Sequence, residues 1–492
     1  MADDQSPKSD GTVSRRRFVQ AAGATGTTLT LAGCTGGDGD DDGTATTTSG
    51  GSSGGGTTTV QMATDSDLDG IQSKFNKWLH QAGLSKDIEV ETIAGSDITG
   101  KRQDKYTQWL SSGRKKPSLL MMDNGWTLPF IVRDQLLNLS EEIPDTTSMV
   151  EDEYFGASVD TTKGPNGDMY AVPMFPDLPT MQYRKDLVQD AGYDTSDWST
   201  NSMTWKRFSE ITADVKGQSD VDYGFTFQFK SYAGLSCCTF NEFLSSYGGA
   251  YFGELDNLFG PVGDRPITVD EKPVVDSLRM LRTFVNGEDD KHALDGVTGD
   301  ISPEAVLQWS EEPSRKPFTS GNAVMHRNWP YAVNTSGAEE NLGENLGVMP
   351  IPHGVSPEKA KYEGTGGAVA ALGGWHTTVN PNTTKKEAAL EVVKTMTSKD
   401  IQYKLLEEIG WMPPRPPMLK SDKAKNIPIM GRYMETFRKV GQNAIPRPVT
   451  AVWPQQRSKI AQEANATVAA QKAPDKAMSD LKSTLKQIEN SV

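Results

Sequence analysis

The chain has 492 residues and a formal net charge of −15, more than a single core accommodates, so two lobes are expected once the ends are set aside. Such an acidic chain repels phosphate backbones, which excludes nucleic-acid binding, and the same bias suits a protein kept soluble in concentrated salt, as in a halophile. Three cysteines (Cys34, then the adjacent Cys237 and Cys238) give no disulfide framework, and five histidines without His-x-x-x-His spacing give no zinc site.

The N-terminal region reads as an address. Ser14-Arg15-Arg16-Arg17-Phe18-Val19-Gln20 resembles a twin-arginine export signal, and the weakly apolar stretch after it ends in Leu31-Ala32-Gly33-Cys34, which is similar to a lipobox. Residues 1–33 are therefore expected to be a signal peptide and Cys34 the lipidated first residue of the mature chain. Residues 34–59, rich in Gly, Ser, Thr and Asp, cannot bury enough apolar surface to fold and are expected to be a tether. Asp38, Asp40, Asp42 and Gly43 imitate the start of a calcium loop, but the twelfth position is Ser49 where a bidentate Glu is needed. No stretch of about 18 apolar residues occurs, so no spanning helix is expected.

Val60–Ala63 predicts the first strand, and Ile71, Phe75, Trp78 and Leu79 recur at helical spacing behind Asp65, Asp67 and Asp69, carboxylates suited to capping a helix. Ile88–Ile93 predicts a second strand and residues 101–110 a helix. Leu119-Leu120-Met121-Met122 is a short continuous apolar run of the kind found in buried parallel strands. Asp123, Asn124, Gly125 and Trp126 follow at once. A carboxylate that accepts from two hydroxyls beside an indole that covers C–H faces makes a sugar site; a turn in which the Asp bonds its own backbone is the plainer alternative.

Further on, Thr204 predicts an N-cap for a helix burying Trp205, Phe208, Ile211 and Val215. Tyr223–Phe229 alternates as a strand, Phe240–Tyr247 predicts a helix, and Pro273 opens another that closes at Gly287. The adjacent Cys237 and Cys238 are read as two small buried residues rather than a strained ring.

Phe318–Val333 then delivers, in order, a helix end, a turn at Ser320-Gly321-Asn322, an apolar strand at Ala323-Val324-Met325, and Arg327, Asn328 and Trp329 at its end. Open α/β sheets place ligands at such strand ends. Leu346–Pro352 predicts a strand, and Gly366–Ala370 a glycine-rich strand that lacks the spacing of a phosphate loop. Gly373, Gly374 and Trp375 offer an aromatic ring with bare backbone around it. Thr384 and Glu387 predict a capping box, Ile401–Ile409 a helix closing at Gly410, and Met478–Ile488 a final amphipathic helix.

The Phe318–Ala332 segment resembles the signature of the extracellular solute-binding proteins of ABC importers, in the branch that includes maltose- and trehalose-binding proteins. Asn328-Trp329-Pro330-Tyr331-Ala332 carries the likeness, and Gly167–Pro173, Tyr183–Leu187 and Pro413-Pro414-Arg415 match further blocks. The resemblance implies a two-lobed α/β fold of the periplasmic-binding-protein type II class, with crossing strands at the hinge. It implies lobe 1 from residues 60–172 plus 367–416 and lobe 2 from 173–366 plus 417–492. A disaccharide or malto-oligosaccharide in the cleft would be handed to a membrane permease by a monomeric, lipid-anchored protein on the outer face of the cell membrane, without cofactor or metal. Its implied ligand residues are Asp65, Asp123, Trp126, Asp177, Tyr183, Trp329, Gly374, Trp375 and Arg415. Glycerol phosphate or a peptide is the alternative cargo. A secreted carbohydrate-active enzyme is disfavoured, because no two acidic residues stand in matching motif positions as acid and nucleophile.

Overall fold

The computed structural model describes residues 56–491 other than residue 97. The expected export signal, the lipidation at Cys34, the calcium-like run and nearly all of the tether lie outside the described residues. Among the described residues, ten strands form two sheets: β1 (Thr58–Thr64), β2 (Ile88–Ala94), β3 (Leu119–Asp123), β4 (Ala171–Asp177), β5 (Thr180–Arg184), β6 (Tyr223–Thr226), β7 (Ala323–Asn328), β8 (Leu346–Met349), β9 (Ala370–Val379) and β10 (Ala444–Pro446). The first sheet runs β10-β9-β3-β1-β2 with β4 also paired to β9, and the second runs β6-β7-β5-β8. Parallel pairing of β1 with β2 and β3, joined by helices, explains why β3 is an unbroken apolar run: both its faces are covered.

Each sheet has its own core. The first gathers Val60, Met62, Phe75, Leu79, Leu119, Met121, Val379 and Val392. The second is larger and aromatic, with Trp205, Phe208, Phe225, Phe227, Phe243 and Phe284 packed together. Fully burying each such ring contributes roughly 1.5–3 kcal/mol. The fold is thus a two-lobed mixed α/β structure. The helix Lys399–Ile409, capped by Ser398 and closed by left-handed Gly410, sends Ile401 and Leu405 into the first core and Leu406 into a third cluster around Phe318 and Met430.

Several local expectations hold. Thr204 caps the helix Trp205–Gly217 by accepting from the Arg207 N–H at 3.2 Å, with Trp205, Phe208, Ile211 and Val215 buried. The final helix runs Pro474–Glu489 and packs on the helices Trp453–Val468 and Lys272–Asn286.

Others are corrected. The first strand begins at Thr58, two residues inside the expected tether, because Thr58 pairs with Ile88. The strand expected over 223–229 stops at Thr226; beyond it Phe229 and Lys230 donate to the Val306 and Trp309 carbonyls at 3.1 and 3.2 Å, which takes the backbone out of the sheet. The helix Lys386–Met396 has no side-chain cap: Thr383, not Thr384, accepts from the Lys385 N–H. The strand expected from Gly366 begins at Ala370 and continues to Val379, so Gly373, Gly374 and Trp375 sit in mid-strand. No helix among the described residues is long and apolar enough to cross a membrane.

Candidate functional site in the interlobe crevice

Strand β9 lays out the site. Its Trp375 pairs with Asp123 at the end of β3 on one side and with Phe175 of β4 on the other, and its Gly373 pairs with Asp177 at the end of β4. Gly373 has no room for a side chain: a Cβ there would stand 2.9 Å from the Asp177 Cβ and 3.5 Å from the Trp329 indole nitrogen. Asp177 from the first sheet and Trp329 from the end of β7 in the second therefore meet across one glycine. Gly374, at φ +138°, lets β9 pass so close to β4 that a Cβ would lie 2.7 Å from the Phe175 carbonyl oxygen.

Three carboxylates end strands here. Asp65 follows β1 and caps the short helix Ser66–Gly70, accepting from the Leu68 N–H at 3.1 Å, so its predicted capping role is met. Asp123 is buried, accepts from the Gly125 N–H at 2.9 Å as the turn reading anticipates, and is clamped by Arg447 Nη1 at 2.8 and 3.1 Å. Asp177 feels Asp123, Arg447, Asp65 and Arg327. Burial first, then the neighbouring carboxylates, pushes Asp177 up to about 7 and Asp65 up to about 6, yet both keep part of their side chains open to solvent. Partly exposed carboxylates at adjoining strand ends can accept from a solute's hydroxyls.

Aromatic rings complete those walls. Trp126 is fully buried, edge-on to Trp375 at 5.7 Å and to Tyr106 at 6.1 Å, and its indole N–H has no partner. The half-buried Trp375 carries the Arg102 guanidinium over its face at 4.3 Å. Trp329 is held more firmly. Arg327 stacks under it at 4.3 Å and is gripped by Glu242 through Nε at 2.9 Å and Nη2 at 3.3 Å, while Nη1 bonds Gln228 at 3.0 Å. Glu242 in turn accepts from the Ala371 N–H of β9 at 3.1 Å, tying this pair to the crossing strand. The backbone of Trp329 is also fixed: its N–H donates to Asn328 Oδ1 at 2.8 Å, and Asn328 Nδ2 lies 2.9 Å from His326 Nε2. Burial lowers His326 to about 3, so the ring is neutral and Nε2 accepts while Nδ1 donates to the Thr226 carbonyl at 3.0 Å.

The structure thus brings together Asp65, Asp123, Trp126, Asp177, Trp329, Gly374 and Trp375. It sets two expected residues apart. Tyr183 lies three residues along β5 from Thr180, which pairs with Asn328 at the crevice end; its ring packs on Trp198 at 4.9 Å, and burial pushes its hydroxyl up to about 12. Arg415 binds Glu153 at 2.9 Å and the Thr397 carbonyl at 2.7 Å over the Tyr154 ring, all within the first lobe. Sequence reasoning missed Arg447, Arg102, Glu242 and Gln228. None stands in a motif, and only the fold brings them to the crevice. No grouping of three or more His, Cys, Asp or Glu side chains suited to a metal occurs among the described residues.

A fold of two α/β lobes with acidic and aromatic side chains converging between them is that of extracellular solute-binding proteins. Residues 65–403 match the family model described as bacterial extracellular solute-binding protein, and the chain belongs to that family; it is a solute-binding protein of the ABC-transporter kind. A maltose-bound MalE3 structure from T. maritima is similar over 87% of this chain and 99% of its own, with 28% identity and a TM-score of 0.72. The GacH receptor of Streptomyces glaucescens, solved unliganded and with acarbose, shares the fold at 17% identity and a TM-score of 0.67, over 88% and 98% of the two chains. A Deinococcus radiodurans protein named "Probable ABC transporter-binding protein" is 28% identical over 70% of this chain and 73% of its own.

Proposed function

We propose that this protein captures a disaccharide or malto-oligosaccharide in the crevice between its lobes and delivers it to a membrane permease, with no chemistry on the sugar. The carrying observation is the meeting of Asp177 and Trp329 across Gly373, with Asp65, Asp123 and Trp375 alongside. Carboxylates accept from sugar hydroxyls while indoles cover the ring faces. The maltose bound to the Thermotoga relative supports this cargo class. Arg102, Arg327 and Arg447 stand against Asp65, Asp123, Asp177 and Glu242, a near balance that suits a neutral ligand. Arg447 is added to the ligand residues as the partner that a sugar hydroxyl would share with Asp123.

The lobes divide as 60–172 plus 367–416 and 173–366 plus 417–492, with β4 and β9 as the crossing strands, and the sugar favours the closed state because both lobes touch it. Export by the twin-arginine route, a lipid anchor at Cys34, a monomeric state and a halophilic source complete the proposal; the charge of −15 supports the last. Thermal unfolding in high salt against maltose, trehalose, sucrose, glucose, glycerol phosphate and a peptide pool tests it. Ligand at about 100 Kd adds roughly 2.7 kcal/mol of stability. A shift with one sugar that is recovered intact is the expected result. A shift only with glycerol phosphate or peptides overturns the cargo class, and sugar breakdown overturns the binding-only role.

A further inference from the structure

A pair of adjacent cysteines lies buried behind the Arg447 clamp on Asp123. Cys237 and Cys238 lie within a single turn of π-helix, Leu235–Thr239, a rare backbone form that recurs at functional positions. Both side chains are buried, and their sulfurs stand 2.6 Å apart. Arg447, whose Nη1 clamps Asp123, presents Nη2 to the Cys238 sulfur at 3.8 Å. The pair is thus one residue removed from the carboxylate cluster.

We propose that Cys237 and Cys238 are a reversible dithiol–disulfide site, oxidised by a hydroperoxide. Burial alone would raise a thiol, but the Cys238 hydrogen bond and the Arg447 guanidinium outweigh it at Cys237 and hold that group below the ordinary thiol range. Cys238 is raised by donating to Cys237 and by burial, so Cys237 is the sulfur that ionises more readily and attacks, and Cys238 the one that keeps its proton and resolves. The Cys237 thiolate attacks one peroxide oxygen; the O–O bond breaks, the second oxygen leaves as hydroxide and, with one proton from solvent, becomes water, and Cys237 becomes a sulfenic acid. The Cys238 sulfur then attacks the Cys237 sulfur, its proton and the departing hydroxide forming a second water. Two thiols and one hydroperoxide give one disulfide and two waters when the peroxide is hydrogen peroxide.

Consecutive Cα atoms are about 3.8 Å apart, whereas bridged cysteines prefer about 4.4–6.8 Å, so the ring strains its peptide and yields readily to a reductant. Reversibility therefore follows from adjacency. Oxidation also replaces the ionisable thiol pair that faces Arg447 with a neutral disulfide held in a smaller ring. The oxidised form is expected to hold Arg447, and through it Asp123, less well.

The test treats the full chain with hydrogen peroxide, unfolds it, alkylates free thiols and maps the peptide carrying Cys237 and Cys238. The expected product is about 2 Da lighter with neither cysteine alkylated, and a dithiol reductant restores two alkylation sites. In Cys238→Ser the sulfenic acid on Cys237 persists and is trapped by dimedone. Two thiols still alkylated after peroxide, or a jump to irreversible sulfinic acid, would overturn the proposal; the wild-type arm decides it even where the variant fails to fold. The effect on ligand rests on the sugar-binding reading and is measured separately, as about threefold or weaker sugar affinity after oxidation. A missing affinity change with an intact mass shift removes that coupling alone, and a mass shift in a protein that binds no sugar separates this site from the cargo assignment.

Discussion

The two walls of the crevice are built on different principles. On the second sheet, Trp329 rests on a fully buried base: Arg327 beneath it, Glu242 and Gln228 around the guanidinium, Ala371 tying Glu242 to β9, and Asn328 with neutral His326 fixing the backbone. On the first sheet, Asp65 and Asp177 stay partly exposed; Arg102 acts on Asp65, while Asp123, Arg447 and Asp65 act on Asp177. A rigid platform faces an electrostatically unsettled one. The fixed wall loses little freedom when a sugar stacks on it, while the carboxylates of the other wall have lone pairs beyond their present bonds that ligand hydroxyls or water can fill.

Breaking the fixed wall from below should have the largest effect. Glu242→Ala leaves Arg327 buried and unpaired, which costs about 3–5 kcal/mol of stability. Urea unfolding is the measurement, and a loss under about 1 kcal/mol would mean that Arg327 finds another partner or water.

Removing the platform itself separates binding from packing. Trp329→Ala is expected to weaken sugar binding about 100-fold, roughly 2.7 kcal/mol, and to lower stability too, since Trp329 is 6% exposed at the edge of the second core. Trp205→Ala, in the aromatic core of the second lobe, should instead cost about 3–5 kcal/mol of stability. Titration calorimetry of the first and thermal unfolding of the second form a matched pair; equal sugar affinity in Trp329→Ala and the parent would remove this residue from the site.

The other wall is sharpened by pH. Asp177 rises from 3.8 to about 7 in the fold, so the native state binds more protons than the unfolded chain between those values. Its contribution to stability is fully present below about pH 4 and is lost as pH rises toward about 7. In the absence of ligand, Asp177→Asn should flatten that decline. Sugar hydroxyls donate best to the ionised form, so affinity should rise from acid toward neutral pH in the parent and not in the variant. Identical pH profiles for the two proteins would place the titration elsewhere.

Much of this was legible in the residues, and what was not has a physical cause. The strand-end carboxylates and indoles announce themselves because β3 is a short apolar run followed at once by Asp123, and because Trp329 closes a turn-strand unit. The counter-ions do not: Arg447 reaches Asp123 across 324 positions, and Arg327 reaches Glu242 across 85. Local patterning has no hold on such pairs. Glycines mislead in the same region, since the run at 366–367 reads as a strand while the strand itself runs 370–379, where Gly373 and Gly374 serve close approach. At the other end, Thr384 and Glu387 have capping-box spacing, but Thr383 takes the bond.

Arg415 gives the smallest expected effect and the finest discrimination. Its motif neighbours Pro413 and Pro414 suggest a ligand donor, but every contact it makes fastens the first lobe: Glu153 at its Nε, the Thr397 carbonyl at Nη1, the Met149 sulfur at Nη2 and the Tyr154 ring alongside. The Glu153 side chain is 42% exposed, so that ion pair is screened and contributes little, whereas the bond to Thr397 is buried. Lysine keeps the charge but cannot fork between a carboxylate and a carbonyl, so Arg415→Lys should cost about 1 kcal/mol of stability. Sugar affinity should stay within about twofold of the parent, because no contact of Arg415 reaches the crevice wall. A tenfold loss of affinity at unchanged stability would return Arg415 to the ligand site and show that the first lobe rearranges around Glu153 when sugar binds.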